Sequence, residues 1–305
     1  MGEKGPERPK GVSVAGVAAP GRTGRRTAML AVGMAVASMT SVQSGVSLSV
    51  PVMSDYGVLS TSGLRLCWAS LVLLLIARPP LHRFTGVQWR AALLLGCAMA
   101  TMTLSFFMAL DRLPQHLAVA LEFCGPLSVA ALGVRGWRAL AWPLLAAAGI
   151  LLLVLGDVDV SGAVDVMGIG FALLAAVGWG VYIVKMKSVG QAFHGFQGIA
   201  VSSLVAAVIS LPFSAAEIGS LMFPWRQLLW TAGLAVFSPL ASYILEMLSL
   251  RRLPSATFGV LMSMEPAIGA CAGWIILGQW MTAGQMLGTA LVVAASVGVV
   301  RAAAR

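Results

Sequence analysis

DRLPQHLAVALEFCGPLSVAAL, residues 111–132, returns later in the chain as RRLPSATFGVLMSMEPAIGACA, residues 251–272. Arg112, Leu113, Pro114 and Pro126 fall on Arg252, Leu253, Pro254 and Pro266 at one constant offset, with no gap. Each copy carries a carboxylate close to its second proline, Glu122 in the first and Glu265 in the second. The two acids are not at equivalent positions: Glu122 aligns with Met262, and Glu265 with Gly125. Pro126 has no N–H to offer the carbonyl of Glu122, so it loosens or kinks a helix at that turn, and Pro266 acts likewise. A freed carbonyl beside a carboxylate makes a polar pocket in apolar surroundings. Such irregular backbone is tolerated in a membrane only where protein or a water-filled cavity encloses it.

Composition sets the class. The 305 residues are 59% hydrophobic and only 10% charged, too apolar for a soluble domain of this size. A helical span needs about 20 mostly apolar residues, and ten such stretches are expected: roughly 28–50, 58–77, 90–110, 115–134, 138–156, 166–186, 196–214, 227–249, 255–277 and 283–301. The short alternating segments of a β-barrel are absent, and the 34 glycines suit close helix contacts. The expected fold is therefore an all-α integral membrane protein of ten transmembrane helices, with no room for an extramembrane domain.

Charge orients it. Seventeen of the 20 Lys and Arg fall in the tail before residue 28, in every second loop and at the C-terminal end, whereas Arg112 and Arg226 stand alone on the other side with Asp55, Asp111, Asp157, Asp159, Asp165 and Glu217. By the positive-inside rule both termini face the cytoplasm. The net charge of +9 is then a topology signal and no pointer to nucleic acid. Residues 1–27, rich in Gly, Pro and Arg, are expected to be a disordered basic cytoplasmic tail. The first apolar run is long enough to span and no clear signal-peptide cleavage site follows it. Cys67, Cys97, Cys124 and Cys271 all fall inside expected spans and read as buried thiols rather than a disulfide framework. His82, His116 and His194 lie near span ends and read as interfacial. Nothing calls for a metal or another cofactor.

Polar residues inside spans are costly and mark candidate sites. In the first span Thr40, Gln43, Ser44 and Ser47 share one helical face; Gln43 is the best ligand candidate among them, and helix-gluing hydroxyls are the alternative. Arg65 lies about 12 Å into the second span at about 1.5 Å per residue. It serves either as a counter-ion for Glu122 or a substrate carboxylate, or it snorkels to the interface. Trp179 and Tyr182 sit one turn apart, as packing, interface belt or cavity wall. Glu246, near Arg251 and Arg252, suits interfacial pairing. Glu122 and Glu265 both approach mid-membrane.

Residues 28–157 and 158–305 each hold five spans. An odd number inverts the second half relative to the first, the plan of secondary transporters with substrate and ion sites where the repeats meet. No phosphate-binding glycine loop accompanies them, so transport would be gradient-driven. A membrane-embedded enzyme would need a nucleophile, base or metal set in one place, and two separated glutamates without a His or Ser partner do not supply it.

The ten-span plan and paired repeats resemble the EamA branch of the drug/metabolite transporter superfamily. LAVALEFCGPLSVAAL (117–132) and RLPSATFGVLMSMEPAIGACAGWIILG (252–278) resemble its threonine/homoserine exporter subgroup, as do SVQSG (41–45), GLRL (63–66), WGVYI (179–183) and YILEMLSL (243–250). The resemblance covers about residues 28–301. It implies an inner-membrane exporter of small amino acids or related metabolites; protons are the expected coupling partner. Exporters of other amphiphilic metabolites or drugs are the alternative within the superfamily. Carried over by position, it favours Gln43, Arg65, Glu122, Trp179, Tyr182, Glu246 and Glu265 as substrate or coupling residues. Gly278-Gln279 stands where the superfamily usually has Gly-Glu.

Overall fold

The computed structural model describes residues 22–132, 141–156, 165–218, 225–250, 252 and 261–303. The described residues fold into helices and turns, without strands. In chain order the helices are α1 (Arg22–Tyr56), α2 (Val58–Ala77), α3 (Gly86–Leu110), α4 (Gln115–Glu122), α5 (Cys124–Leu132) and α6 (Ala141–Gly156). They continue as α7 (Val166–Ala192), α8 (Gln197–Ile218), α9 (Trp225–Ala235), α10 (Ser242–Leu250), α11 (Glu265–Leu277) and α12 (Ala283–Ala303). Among the described residues six stretches are long and apolar enough to cross a membrane: Met29–Tyr56, Val58–Ala77, Gly86–Leu110, Val166–Gly190, Gln197–Ile218 and Trp225–Glu246. Shorter apolar helices occupy the expected fifth, ninth and tenth spans.

Local chemistry sets the helix ends. Thr85 and Gln88 form a reciprocal capping box at the start of α3, the N–H of Thr85 donating to Gln88 Oε1 at 2.9 Å. Thr282 and Gln285 repeat it before α12. Gly278 ends α11 with φ 67°, a left-handed turn that glycine adopts without steric cost. The N-terminus departs from expectation: α1 begins at Arg22, so the last residues of the expected disordered tail are helical. Arg, Thr and Ala propagate a helix that the apolar run has already nucleated. Residues 1–21 lie outside the described residues.

The helices pack in a definite pattern. α2 runs along α8, α3 along α7, and α6 along α12; α1 packs on α9, α10 and α11; α4 and α5 pack on α7. Glycines permit the closest crossings: a Cβ added to Gly149 of α6 would lie 2.7 Å from the carbonyl oxygen of Gly288 in α12. The outer surface is apolar, with Leu75, Ile76, Leu151, Val177 and Ile275 all exposed. A water-facing surface would carry charges there, and lipid accounts for the pattern. Cys97 and Cys271 also sit on exposed surface rather than buried, because they occupy lipid-facing helix positions; all four thiols are free. His116 is likewise buried at 3% exposure rather than interfacial, because α4 lies against α7 and α11.

Polar groups gather inside instead. Gln43, Ser47, Arg65, Gln115, Glu122 and Glu265 are all buried among helices. The ion pair among the described residues lies at the periphery, Arg112 with Asp165 at 3.4 Å. Asp165 also caps α7, accepting from the N–H of Gly168 at 2.8 Å. That hydrogen bond, with Arg112 beside it, holds the Asp165 carboxyl below the usual range.

Candidate functional site

Three helix breaks create the site. α4 ends at Glu122, and α5 starts at Cys124 with Pro126 in its first turn. The N–H of Leu127 donates to Phe123, while Pro126 has none to give Glu122. The second break lies at Ser263–Met264, directly before Glu265 and Pro266 open α11. Each carboxylate therefore sits on the lip of a broken helix. The third break is in the eighth expected span, where Ser238 adopts extended backbone (φ −148°, ψ 121°) before Pro239, inside a π-helical segment joining α9 to α10.

A cavity of about 100 Å³ lies between these breaks. Gln43, Arg65, Glu122, Trp179, Tyr182, Glu246 and Glu265 all line it. Tyr243 also borders it, as do Ser62, Phe107, Ser238 and Ser242, which were not singled out from the sequence. Trp179 bridges the two main hydrophobic clusters and meets Phe123 edge-on, ring centroids 5.7 Å apart. The cavity wall is thus anchored to the core.

Arg65 is 3% exposed, so it does not snorkel. Its Nε and Nη2 both donate to the carbonyl of Ser238, at 3.1 and 2.6 Å, and its guanidinium stacks 4.7 Å from the centre of the Phe107 ring. The extended backbone at Ser238 frees that carbonyl from helical bonding. Nη1 remains without a partner. Arg65 makes no ion pair with Glu122 among the described residues, contrary to one sequence reading, because the freed carbonyl engages it instead.

The carboxylates are differently held. Gln43 Nε2 donates to Glu265 Oε1 at 3.3 Å, and Glu265 Oε2 has no partner. Glu122 makes no ion pair among the described residues. Glu122 is in electrostatic range of Glu265, and Glu265 of Glu246. The interfacial reading of Glu246 gives way: Pro239, Ser242, Tyr243 and Glu246 follow helical spacing onto one face of the re-aimed helix, and that face borders the cavity. Arg252 donates instead to the carbonyl of Leu248 at 2.9 Å; Arg251, Leu253 and Pro254 lie outside the described residues.

Beyond Gln43 a buried amide network continues. Gln115 Nε2 donates to the backbone and side-chain oxygens of Gln43, at 3.2 and 3.1 Å, and the N–H of Gln115 donates to Gln279 Oε1 at 2.9 Å. An uncharged Gln279 thus caps the start of α4. The available signals were the Pro-Gln pair at 114–115 and the Ser-Pro pair at 238–239.

Chemically, three carboxylates and one guanidinium line one cavity, with Arg65 Nη1 and Glu265 Oε2 unpartnered.

Known proteins resemble this chain over most of its length. Residues 166–301 match the EamA-like transporter family. The threonine/homoserine exporter RhtA of Salmonella typhimurium (strain LT2) is 38% identical over 280 residues, 92% of this chain and 94% of that protein. The RhtA exporter of Escherichia coli (strain K12) is 36% identical over the same shares. A solved crystal structure shares the fold, with a TM-score of 0.57 at 17% identity over 87% of this chain and 94% of its own. With relatives this similar across nearly the whole chain, the protein belongs to the EamA-like transporter family, in the subgroup of these threonine/homoserine exporters.

Proposed function

We propose that this protein exports small zwitterionic amino acids of the threonine/homoserine kind across the cytoplasmic membrane, in exchange for protons. The observation that carries this reading is the central cavity, where Arg65 Nη1 and Glu265 Oε2 are both buried and unpartnered. An α-carboxylate satisfies the guanidinium, and an α-ammonium satisfies Glu265 together with Glu122. Without substrate, three acids against one guanidinium leave uncompensated negative charge in a low-dielectric space, which protons neutralise. Proton and ammonium thus compete for the same oxygens, and that competition couples the two gradients.

The transport cycle in this reading is alternating access by two inverted five-span repeats, spans 1–5 and 6–10. Support comes from the packing. If spans exchange five places, the pairs α2–α8 and α6–α12 map onto themselves, and α3–α7 maps onto α9/α10–α1. The helix break after Glu122 also recurs 140 residues later, at Ser263. Cytoplasmic termini follow from the basic loops. The direct test is uptake of labelled threonine into inverted membrane vesicles. Uptake is expected only with the protein present and a proton gradient imposed, acidic inside. Gradient-independent uptake would refute the coupling, and uptake confined to right-side-out vesicles would refute the orientation.

The prolines shape the cavity in this reading. Pro126→Ala and Pro266→Ala each restore a backbone donor and favour a continuous helix. Uptake is expected to fall on the order of tenfold in each, since small misplacements of a binding group are costly, while the amount of protein in the membrane stays unchanged. Undiminished uptake in both would reduce the prolines to packing features. A second reading rests on the wall of Met102, Phe106, Phe107 and Trp179, which also suits amphiphilic metabolites with apolar substituents. Competition of such compounds with threonine in the same vesicles separates the two.

A further inference from the structure

We infer that Gln115 is a positioning residue of the site, fixing the amide of Gln43 so that Glu265 keeps one free oxygen for exchange. The inference rests on the reading of Glu265 as a substrate and proton group. Gln115 itself borders no part of the cavity; it acts through Gln43.

The hydrogen bonds dictate the orientation. The backbone carbonyl of Gln43 can only accept. Gln115 therefore turns its NH2 towards it, at 3.2 Å, and the same NH2 faces Gln43 Oε1 at 3.1 Å. The opposite oxygen of Gln115 accepts from the hydroxyl of Ser47 at 2.6 Å, which closes the arrangement. With its oxygen claimed by Gln115, Gln43 has only its NH2 left for Glu265. A reversed Gln43 amide would set two NH2 groups against each other and its oxygen against a carboxylate. All four residues are buried, at 0–4% exposure, so no bulk water relieves the mismatch. Gly269 leaves the space for this: a Cβ there would lie 3.0 Å from Gln43 Oε1. Glu265 Oε1 is thereby committed to the protein, and Oε2 is the one oxygen open to a proton or an ammonium.

The test is a double-variant cycle of Gln115→Leu and Gln43→Leu in the full-length chain, read as labelled threonine uptake into inverted vesicles at equal protein content. Each single variant is expected to lower kcat/KM about tenfold, with the loss in KM and kcat within about twofold. The double variant is expected to be no worse than either single, because both remove the same donor to Glu265. Multiplying losses of about a hundredfold would overturn the inference, as would unchanged uptake in Gln115→Leu or a loss confined to kcat. Should Gln115→Leu fail to reach the membrane, Ser47→Ala takes its place, since it releases the far side of the same amide. A loss of about threefold is then expected in the wild-type background and none in the Gln43→Leu background, and equal losses in both would overturn the inference. Silence of Gln43→Leu itself would overturn the inference together with the reading of Glu265. An impaired Gln43→Leu beside a silent Gln115→Leu would overturn the inference alone.

Discussion

Glu122→Gln is expected to reduce threonine uptake into inverted vesicles on the order of a hundredfold, leaving the protein folded. Glu122 is 7% exposed and lines the cavity at the end of a broken helix, without an ion pair among the described residues. In the proposed cycle a carboxylate there attracts the substrate ammonium and exchanges it for a proton. Gln retains the size and loses both properties. A hundredfold fall corresponds to about 3 kcal/mol at about 1.4 kcal/mol per tenfold, within the usual cost of truncating one member of a buried charge pair. Glu122→Asp keeps the charge one methylene short and is expected to fall between wild type and Glu122→Gln. The alternative is a permanently protonated structural acid. Gln is nearly isosteric with that form, so export would survive. Uptake and thermal stability of the purified variant decide: lost export at unchanged stability supports the transport role, and normal export eliminates it.

Replacement of Arg65 should be nearly as severe, and its signature should be in substrate choice. Two of its three nitrogens donate to the Ser238 carbonyl and the third, Nη1, is unpartnered. Lys preserves the charge but has a compact head that cannot serve both partners in the planar fork of Arg. Arg65→Lys is expected to raise KM about tenfold, and Arg65→Gln to leave uptake near background, consistent with removal of a buried charged partner. Competition by threonine amide, which lacks the carboxylate, gives the sharper measurement. The wild type should strongly prefer threonine, and Arg65→Lys should lose much of that preference. If Arg65 only clamps the break at Ser238, both compounds weaken equally and thermal stability falls with them. That pattern would remove Arg65 from the binding site and leave it a structural latch.

Much of this protein was legible in the chain alone, for reasons that are local. An apolar composition with few charges admits little besides helices in lipid, and a proline within an apolar run removes a definite hydrogen bond wherever the helix goes. The breaks beside Glu122 and Glu265 follow from those facts. So does the enclosure of Glu122 and Glu265, because a charge at mid-membrane costs about 2.5–3.5 kcal/mol on insertion scales, whereas the choice between snorkelling and burial of Arg65 was made only by the fold. The partners of these residues were decided only by the tertiary structure. Helical periodicity groups residues on a face without saying which helix that face meets. Arg65 bonds a backbone carbonyl 173 residues away, and a backbone acceptor has no side-chain identity to read. Glu246 turns from an expected interfacial partner into a cavity residue because the break at Ser238 re-aims α10. Gln115 became visible when α4, α1 and α11 came together, since a glutamine at the start of a helix announces neither its partner nor the direction of its amide. Local chemistry determined which groups had to leave the lipid, and long-range packing determined which of them meet.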